Sequence, residues 1–160
     1  MVGALDSEKG ETMPDTNESR EALVREYFDV VDGRKLRNPL ELFAPDAEVY
    51  FPKFGIAQGA ENLMSLGHGL HTIVKRLEHH VESFRLHHAG TVVIVEGTTQ
   101  GETVDGRQWD GKASIGGRFC SVFEVNNNKI IRMYTYLDPD YGHADADRYP
   151  WPRERPEPSK

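Results

Sequence analysis

The chain has 160 residues, the usual size of a single domain, and 38% of them are hydrophobic and 28% charged. Its formal charge of -7 at pH 7 disfavours binding to nucleic acid, and the single cysteine, Cys120, cannot form an intramolecular disulfide. No apolar run has the roughly 18 to 20 residues that cross a bilayer, and the N-terminus lacks a signal-peptide pattern, so we expect a cytoplasmic protein that does not bind membranes.

The two ends of the chain are polar and are expected to lie outside the core. Residues 1–16 mix glycine, proline and charged residues, which predicts a disordered N-terminal tail. Residues 142–160 are rich in proline and predict an extension without regular structure. A single domain is therefore expected over residues 17–141.

The first part of this domain is predicted to hold two helices. Asn17 can cap a first helix with an apolar stripe, and Gly33 lies where a left-handed residue would end it. Asn38 and Pro39 then place a capping side chain before a proline at the first helical position. The resulting short helix is expected to end at Pro45.

From residue 47 onwards the chain is predicted to be mainly β-structure, with one more helix. Alternating apolar and polar residues predict a strand over 47–52, and apolar residues at helical spacing predict a third helix over 60–77. Four further strands are expected over 79–88, 91–104, 107–125 and 129–137, separated by turns rich in glycine and asparagine. This order predicts an α+β fold with the helices on one face of a curved antiparallel sheet.

Three segments carry a pattern found in a known group of proteins. They are Tyr27–Asp32 on the first helix, Phe43–Ala47 before the first strand and Phe119–Tyr141 along the last hairpin. With the order of elements, they resemble the nuclear-transport-factor-2-like superfamily and its SnoaL-like branch. The resemblance implies a cone-shaped sheet that encloses an apolar cavity with three helices. It implies no single reaction, because the superfamily includes isomerases, dehydratases, polyketide cyclases and members without catalysis.

The resemblance also implies candidate catalytic residues. Tyr27 falls where ketosteroid isomerases keep a tyrosine that donates to an oxyanion, and Asp32 falls on an aspartate of scytalone dehydratases. A dehydratase histidine corresponds to His79 or His80. We predict His80, because it would share a strand face with apolar residues and so point inward. An imidazole held by a carboxylate in an apolar cavity can move a proton near neutral pH.

Both residues of this pair also have an ordinary structural interpretation. His80 can bond to loop backbone, and an aspartate directly before a helix-ending glycine is common in turns.

Other branches of the superfamily use acidic residues that this chain lacks at the corresponding positions. The general base of ketosteroid isomerases falls on Phe51, and the aspartate of SnoaL-type cyclases falls on Ser121. The catalytic set of limonene epoxide hydrolases falls on Thr98, Glu96 and Thr135. These differences disfavour carbon-to-carbon proton transfer by an aspartate and epoxide hydrolysis by the known route.

The substrate-binding residues are predicted to be mostly apolar. Glu96 would face inward if it follows Val92 and Ile94 at strand spacing, and Arg118 could pair with it, anchor a ligand carboxylate or lie at the surface. Trp109 is either a lid over the cavity or a packed aromatic in an irregular loop. The predicted substrate-binding residues are Phe51, Phe54, Leu63, Met64, Glu96, Thr98, Trp109 and Arg118.

Neither a metal nor an organic cofactor is expected, although six of the seven histidines lie within residues 68–88. Adjacent histidines on a strand point to opposite faces, so one ion cannot readily collect them. Arg132, Tyr134 and Tyr136 are expected on the outer face of the sheet, and interfaces favour aromatic residues and arginine. We therefore expect a homodimer through that face.

The sequence predicts a cofactor-independent enzyme that moves a proton in a small hydrophobic molecule, polycyclic or polyketide-like, in a dehydration, an isomerisation or a cyclisation. The alternative is a non-catalytic module of the same fold that binds a small molecule or a partner.

Overall fold

The computed structural model describes residues 15–114 and 116–148. Most of the predicted N-terminal tail, and the predicted extension beyond residue 148, lie outside the described residues. The described part contains two α-helices, α1 (Asn17–Val31) and α2 (Asn62–His71), and three short 3₁₀ helices at Pro39–Leu42, Val81–Ser83 and Ala146–Arg148. Its eight strands are β1 (Phe43–Phe51), β2 (Gly55–Gln58), β3 (Val74–His79), β4 (Arg85–Ala89), β5 (Val92–Thr103), β6 (Gln108–Trp109), β7 (Arg118–Asn126) and β8 (Lys129–Leu137).

Capping residues define both ends of α1. Thr16, rather than the predicted Asn17, is the N-cap: its hydroxyl accepts from the Ser19 N–H at 3.2 Å, and the Ser19 hydroxyl accepts from the Thr16 N–H at 2.9 Å. The predicted helix end is confirmed, since Gly33 has a φ of 74°. Asp32 is the C-cap, and this places its side chain where the helix meets the sheet.

The sheet is curved and mixed, so the prediction of a purely antiparallel sheet needs one correction. The strand order is β2-β1-β8-β7-β5-β3, and β4 and β6 also pair with β5. Every pairing is antiparallel except that of β1 with β8, which is parallel. These two strands are far apart in sequence, so no tight hairpin forces them to run in opposite directions.

The helices confirm the α+β class but differ from the prediction in number and length. The second predicted helix is a single 3₁₀ turn, and β1 already begins at Phe43. The third ends at His71, and the residues after it enter β3. A bulge between Val74 and Arg76 leaves Val74 and Leu77 both packed inward, three residues apart, which imitates helical spacing.

The core lies between α1 and the concave face of the sheet. Val24 and Phe28 of α1 are almost completely buried against Val93 and Val95 of β5 and Phe123 of β7. Burying side chains of this size contributes about 1.5 to 3 kcal/mol each. Because β5 pairs with four other strands, it holds the concave face together.

Gly101 of β5 lies where two neighbouring strands approach closely. A Cβ at this position would lie 2.2 Å from the Arg76 carbonyl oxygen and 2.4 Å from the Trp109 ring. We expect Gly101→Ala to lower the free energy of unfolding by about 1 to 3 kcal/mol, as overpacking does. Urea unfolding followed by circular dichroism measures this change.

Gly69 of α2 provides the matched control, because nothing lies within 4 Å of a Cβ added there. Gly69→Ala should raise the free energy of unfolding by about 1 kcal/mol through helix propensity. Equal effects of the two substitutions would show that β5 has room to move away from its neighbours.

Candidate functional site

A cavity of about 430 Å³ opens between the two helices and the concave face of the sheet. Buried side chains form its floor, among them Tyr27, Phe51, Ser121, Met133 and Thr135. We call the exposed end the cavity mouth, and its residues include Met64, His68, His71, Arg76 and Arg118. A volume of this size suits a small organic molecule with an apolar body.

The Asp32 carboxylate holds His79 through two separate bonds. Its Oδ1 lies 2.6 Å from Nδ1 of the His79 ring, and its Oδ2 accepts from the His79 backbone N–H at 2.8 Å. Oδ2 also lies 2.7 Å from an Arg34 guanidinium nitrogen. The Asp32 side chain is 2% exposed, so these partners compensate the loss of its hydration.

Aromatic packing fixes the His79 ring inside the cavity. Its centroid lies 4.8 Å from that of Phe28 and 5.2 Å from that of Phe119, both with edge-to-face geometry. An ionised carboxylate can only accept hydrogen bonds. In its neutral form, the His79 ring therefore carries its proton on Nδ1, next to Asp32. Nε2 has no hydrogen-bond partner among the described residues, and its lone pair is available to a ligand.

Tyr27 brings a second polar group to the cavity. Its ring packs edge-to-face on Phe28, Phe43 and Phe123, and its hydroxyl makes no hydrogen bond within the described part of the chain. Burial raises the pKa of Tyr27, and the negative charge of Asp32 raises it further. The phenol is therefore a neutral donor at physiological pH.

Hydroxyl groups occupy the inward positions of β5, β7 and β8. The hydroxyls of Ser121 and Thr135 lie 3.0 Å apart, and Thr99 accepts from the Trp109 indole N–H at 3.0 Å. All three hydroxyl-bearing residues are buried and line the cavity. Ser121, Thr99 and Thr135 were absent from the predicted binding set, although inward alternation along each strand is the signal that identifies them.

His80 lies outside the cavity lining, which corrects the predicted Asp32–His80 pair. Its Nδ1 lies 2.8 Å from the Thr98 hydroxyl, and its N–H donates to the Thr98 carbonyl. Instead of a continuous strand over 79–88, β3 ends at His79, a 3₁₀ turn follows, and β4 starts at Arg85. This break shifts the inward face by one residue, so that His79 meets Asp32.

Half of the predicted substrate-binding residues line the cavity, namely Phe51, Leu63, Met64 and Arg118. Glu96 and Thr98 instead lie on the outer face of the sheet, in a groove with Cys120. The reason is the register of β5, in which Val93 and Val95 point inward, whereas the prediction had assigned Val92 and Ile94 to that face.

Two aromatic residues of the predicted set also lie elsewhere. Phe54 belongs to the turn between β1 and β2 and is not part of the lining. Trp109 is buried and stacks on Tyr141, with ring centroids 4.7 Å apart. Its indole donates to Thr99, so it is a packed anchor beneath the sheet end rather than a lid.

Comparison with known proteins identifies the family of the chain. The family model of the SnoaL-like domain matches residues 24–133, and the chain therefore belongs to the SnoaL-like family. A search of the curated proteins returned no match. In the described residues, no helix is both long and apolar enough to cross a membrane.

Solved structures support the same fold. An NTF2-like protein of unknown function from Burkholderia pseudomallei K96243 is 19% identical, with a TM-score of 0.64 over 76% of this chain and 92% of that one. A candidate SnoaL-like polyketide cyclase from Jannaschia sp. CCS1 is 18% identical, with a TM-score of 0.64 over 81% and 92%. A candidate polyketide cyclase from Xanthomonas campestris pv. campestris is 16% identical, with a TM-score of 0.61 over 76% and 91%. At these identities the similarity establishes the fold alone.

The raised pKa of Tyr27 leads to a prediction at alkaline pH. In the unfolded chain a tyrosine ionises near pH 10, whereas Tyr27 in the folded chain keeps its proton there. The folded state then binds more protons than the unfolded state, so the free energy of unfolding should fall as pH rises above about 10. Tyr27→Phe should make this fall less steep in urea unfolding between about pH 8 and 11.

Phe43→Leu is the control for this experiment, because Phe43 packs on the Tyr27 ring but carries no ionisable group. This variant should retain the slope of the unmodified protein. If Tyr27→Phe retains it as well, the Tyr27 hydroxyl ionises freely and the cavity floor is not a desolvated environment.

Proposed function

We propose that this protein is a cofactor-independent proton-transfer enzyme that acts on a hydrophobic, polyketide-like or polycyclic small molecule. The observation that carries the proposal is the Asp32–His79 contact within an apolar cavity that also contains the Tyr27 hydroxyl. The two candidate polyketide cyclases among the structural neighbours are consistent with the substrate class. The sequence had suggested His80 for this role, and the geometry favours His79.

His79 is the general base in the proposed reaction. Nε2 takes a proton from a carbon next to a substrate carbonyl, and the imidazolium that forms is stabilised by the Asp32 carboxylate at Nδ1. Asp32 itself is a positioning residue: its second oxygen bonds the His79 backbone and Arg34, which fixes the plane of the carboxylate. No further base is needed to start the reaction.

Tyr27 stabilises the charge that this proton removal creates. As the carbon loses its proton, negative charge develops on the carbonyl oxygen, and a neutral phenol can donate a hydrogen bond to it. Because the Tyr27 hydroxyl makes no bond to the described residues, it needs no rearrangement before donating.

The enolate has three possible fates, which distinguish the three reactions. In an isomerisation His79 returns its proton to a different carbon. In a dehydration the enolate expels a β-hydroxyl, which leaves as water with the His79 proton. In a cyclisation the carbanion attacks a second carbonyl carbon, and the alkoxide that forms takes the proton. Each route returns the imidazole to its starting state.

One observation favours a second candidate function, a non-catalytic binding module. The inward positions that match acidic residues of relatives hold Ser121 and Thr135, and among the described lining residues the single carboxylate is Asp32. Arg34 already occupies one oxygen of that carboxylate. A cavity of hydroxyls and apolar groups can bind a ligand without transforming it.

Deuterium exchange separates the two functions without knowledge of the natural substrate. 2-Tetralone is a small apolar ketone with acidic α-protons, and its exchange in D₂O can be followed by NMR. We expect the protein to accelerate exchange and His79→Gln to reduce the acceleration by at least about 100-fold, as loss of a general base does.

His80→Gln is the matched control, because His80 is the adjacent histidine and lies outside the cavity lining. This variant should exchange protons at the rate of the unmodified protein. Equal losses in both histidine variants would contradict the role of His79, and binding of the ketone without any acceleration would favour the binding module.

The outer face of the sheet is proposed as a homodimer interface. Tyr50 lies with its ring centroid 5.4 Å from that of Tyr134 and 5.5 Å from that of Tyr136, and the Arg132 guanidinium lies 4.8 Å from the Tyr134 ring. Tyr136 is 49% exposed in the single chain, although such clusters are typical of interface centres. A second copy of the chain is the proposed partner.

Sedimentation velocity tests the dimer. The unmodified protein should sediment with twice the mass of the chain, and Tyr136→Arg should shift it towards the monomer because two like charges would face each other at the interface. Val104→Arg is a control, since Val104 is 59% exposed just after β5, and β7 separates β5 from the strands β1 and β8 that carry the tyrosine cluster. A monomeric unmodified protein would contradict the proposal.

A further inference from the structure

We propose that the cavity mouth is an anion-binding subsite and that the ligand of this protein is an apolar molecule with an acidic group, such as a carboxylate, at one end. The inference rests on the proposed function in so far as the cavity binds a small molecule. It adds the charge of that molecule and its orientation.

The charge of the cavity lining is opposite to that of the whole chain. The chain has 26 acidic and 19 basic residues. Among the described lining residues, however, the charged and titratable side chains other than Tyr27, Tyr141 and Asp32 are two arginines and three histidines: Arg76, Arg118, His68, His71 and His79. An acidic protein that exposes a basic opening attracts anions to that opening specifically.

The Asp32 charge does not offset this basic character. Its two oxygens bond His79 and Arg34, and its side chain is 2% exposed. Arg34 also pairs with Asp29 and Glu78, so it does not neutralise Asp32 alone, but both Asp32 oxygens are already bonded and are not available to the guanidinium groups of the mouth.

Arg76 and Arg118 line the cavity and make no ion pair within the described part of the chain, so both guanidinium groups are available to a ligand. Six other arginines do form ion pairs with carboxylates, namely Arg20, Arg25, Arg34, Arg37, Arg107 and Arg132. The pKa of Glu102 is lowered mainly by its bond to Lys75, 2.8 Å away, and to a smaller extent by the positive charge of Arg76. Guanidinium is the group that best matches a carboxylate in geometry, through two parallel bonds.

The lining changes from charged, exposed residues at the mouth to buried, mostly apolar residues at the floor, and this change determines how such a ligand would lie. Its acidic end meets Arg76 and Arg118, which are exposed, and its apolar body extends past Leu63 and Leu66 towards Tyr27 and His79. This order places the reacting carbonyl in the part of the cavity that excludes water. A ligand bound in the opposite direction would bury its charge against Phe51 and Met133, which is unfavourable.

Two fluorescent probes with the same skeleton test the subsite. 1-Anilinonaphthalene-8-sulfonate carries a negative charge, and N-phenyl-1-naphthylamine lacks it. We expect the protein to bind the charged probe about tenfold more tightly, the difference that one charge-assisted contact supplies. Arg76→Gln and Arg118→Gln should each lower the affinity for the charged probe several-fold and leave the affinity for the neutral probe unchanged.

Arg85→Gln is the matched control for the arginines. Arg85 also makes no ion pair with the described residues, but it lines the groove on the outer face of the sheet, where Arg118 lies as well. If Arg85→Gln weakens the charged probe as much as Arg118→Gln does, the anion binds in that groove and the proposal is wrong.

A pair of glycine variants locates the probes. Gly67 lines the cavity and Gly69 does not, and nothing lies within 4 Å of a Cβ added at either position. Gly67→Leu should lower the affinity for both probes, because the added side chain occupies the cavity, and Gly69→Leu should leave both affinities unchanged. If Gly67→Leu leaves both affinities unchanged, the probes bind elsewhere and the proposed subsite is refuted.

Salt provides a test that needs no substitution. Raising NaCl from about 20 to 500 mM should lower the affinity for the charged probe several-fold, because salt screens exposed charges, and should leave the affinity for the neutral probe unchanged. Equal affinity of the two probes, or equal salt dependence, overturns the anion subsite but leaves the proposed function intact. If neither probe binds, both proposals fail, since the cavity then accepts no apolar ligand.

Discussion

The buried carboxylate of Asp32 is the constraint on which the site depends. Asp32 is the C-cap of α1, and its carboxylate bonds both the backbone and the ring of His79 at the end of β3. One residue therefore fixes the helix end, the strand end and the His79 ring. A buried charge with fewer partners would cost several kcal/mol. Arg34 and two N–H groups of His79 supply those partners, so the geometry of the candidate site follows from a requirement of folding.

The curvature of the sheet places the contact between Asp32 and His79 beside an open cavity. Because β5 pairs with β3 and β4 on one edge and with β6 and β7 on the other, the concave face can close around a space that side chains do not fill. Phe28 and Phe119 pack on the edges of the His79 ring and keep it from rotating. The same aromatic residues bury most of the imidazole, which is 16% exposed, so the packing of the core also shapes the candidate site.

Periodicity in the sequence predicted the class of fold and most elements, whereas the site depended on features that periodicity does not contain. The alternation of Ala47, Val49 and Phe51 placed β1 correctly, and Gly33 marked the end of α1. The predicted strand over 79–88 is broken after His79 by a 3₁₀ turn, and the choice between His79 and His80 depended on that break. An error of one residue in the predicted phase of β5 likewise misplaced Glu96, which lies on the outer face.

A single imidazole also limits the course of the proposed reaction. At two positions where the resemblance implies acidic residues, this cavity presents the hydroxyls of Ser121 and Thr135, which have no charge with which to take a proton from carbon. His79 must therefore both remove the proton and return it, and its ring is held on one side by Asp32 and between Phe28 and Phe119. Removal and return then occur on the same face of the substrate, within reach of one nitrogen atom. A reaction that requires an acid and a base on opposite faces does not fit this arrangement.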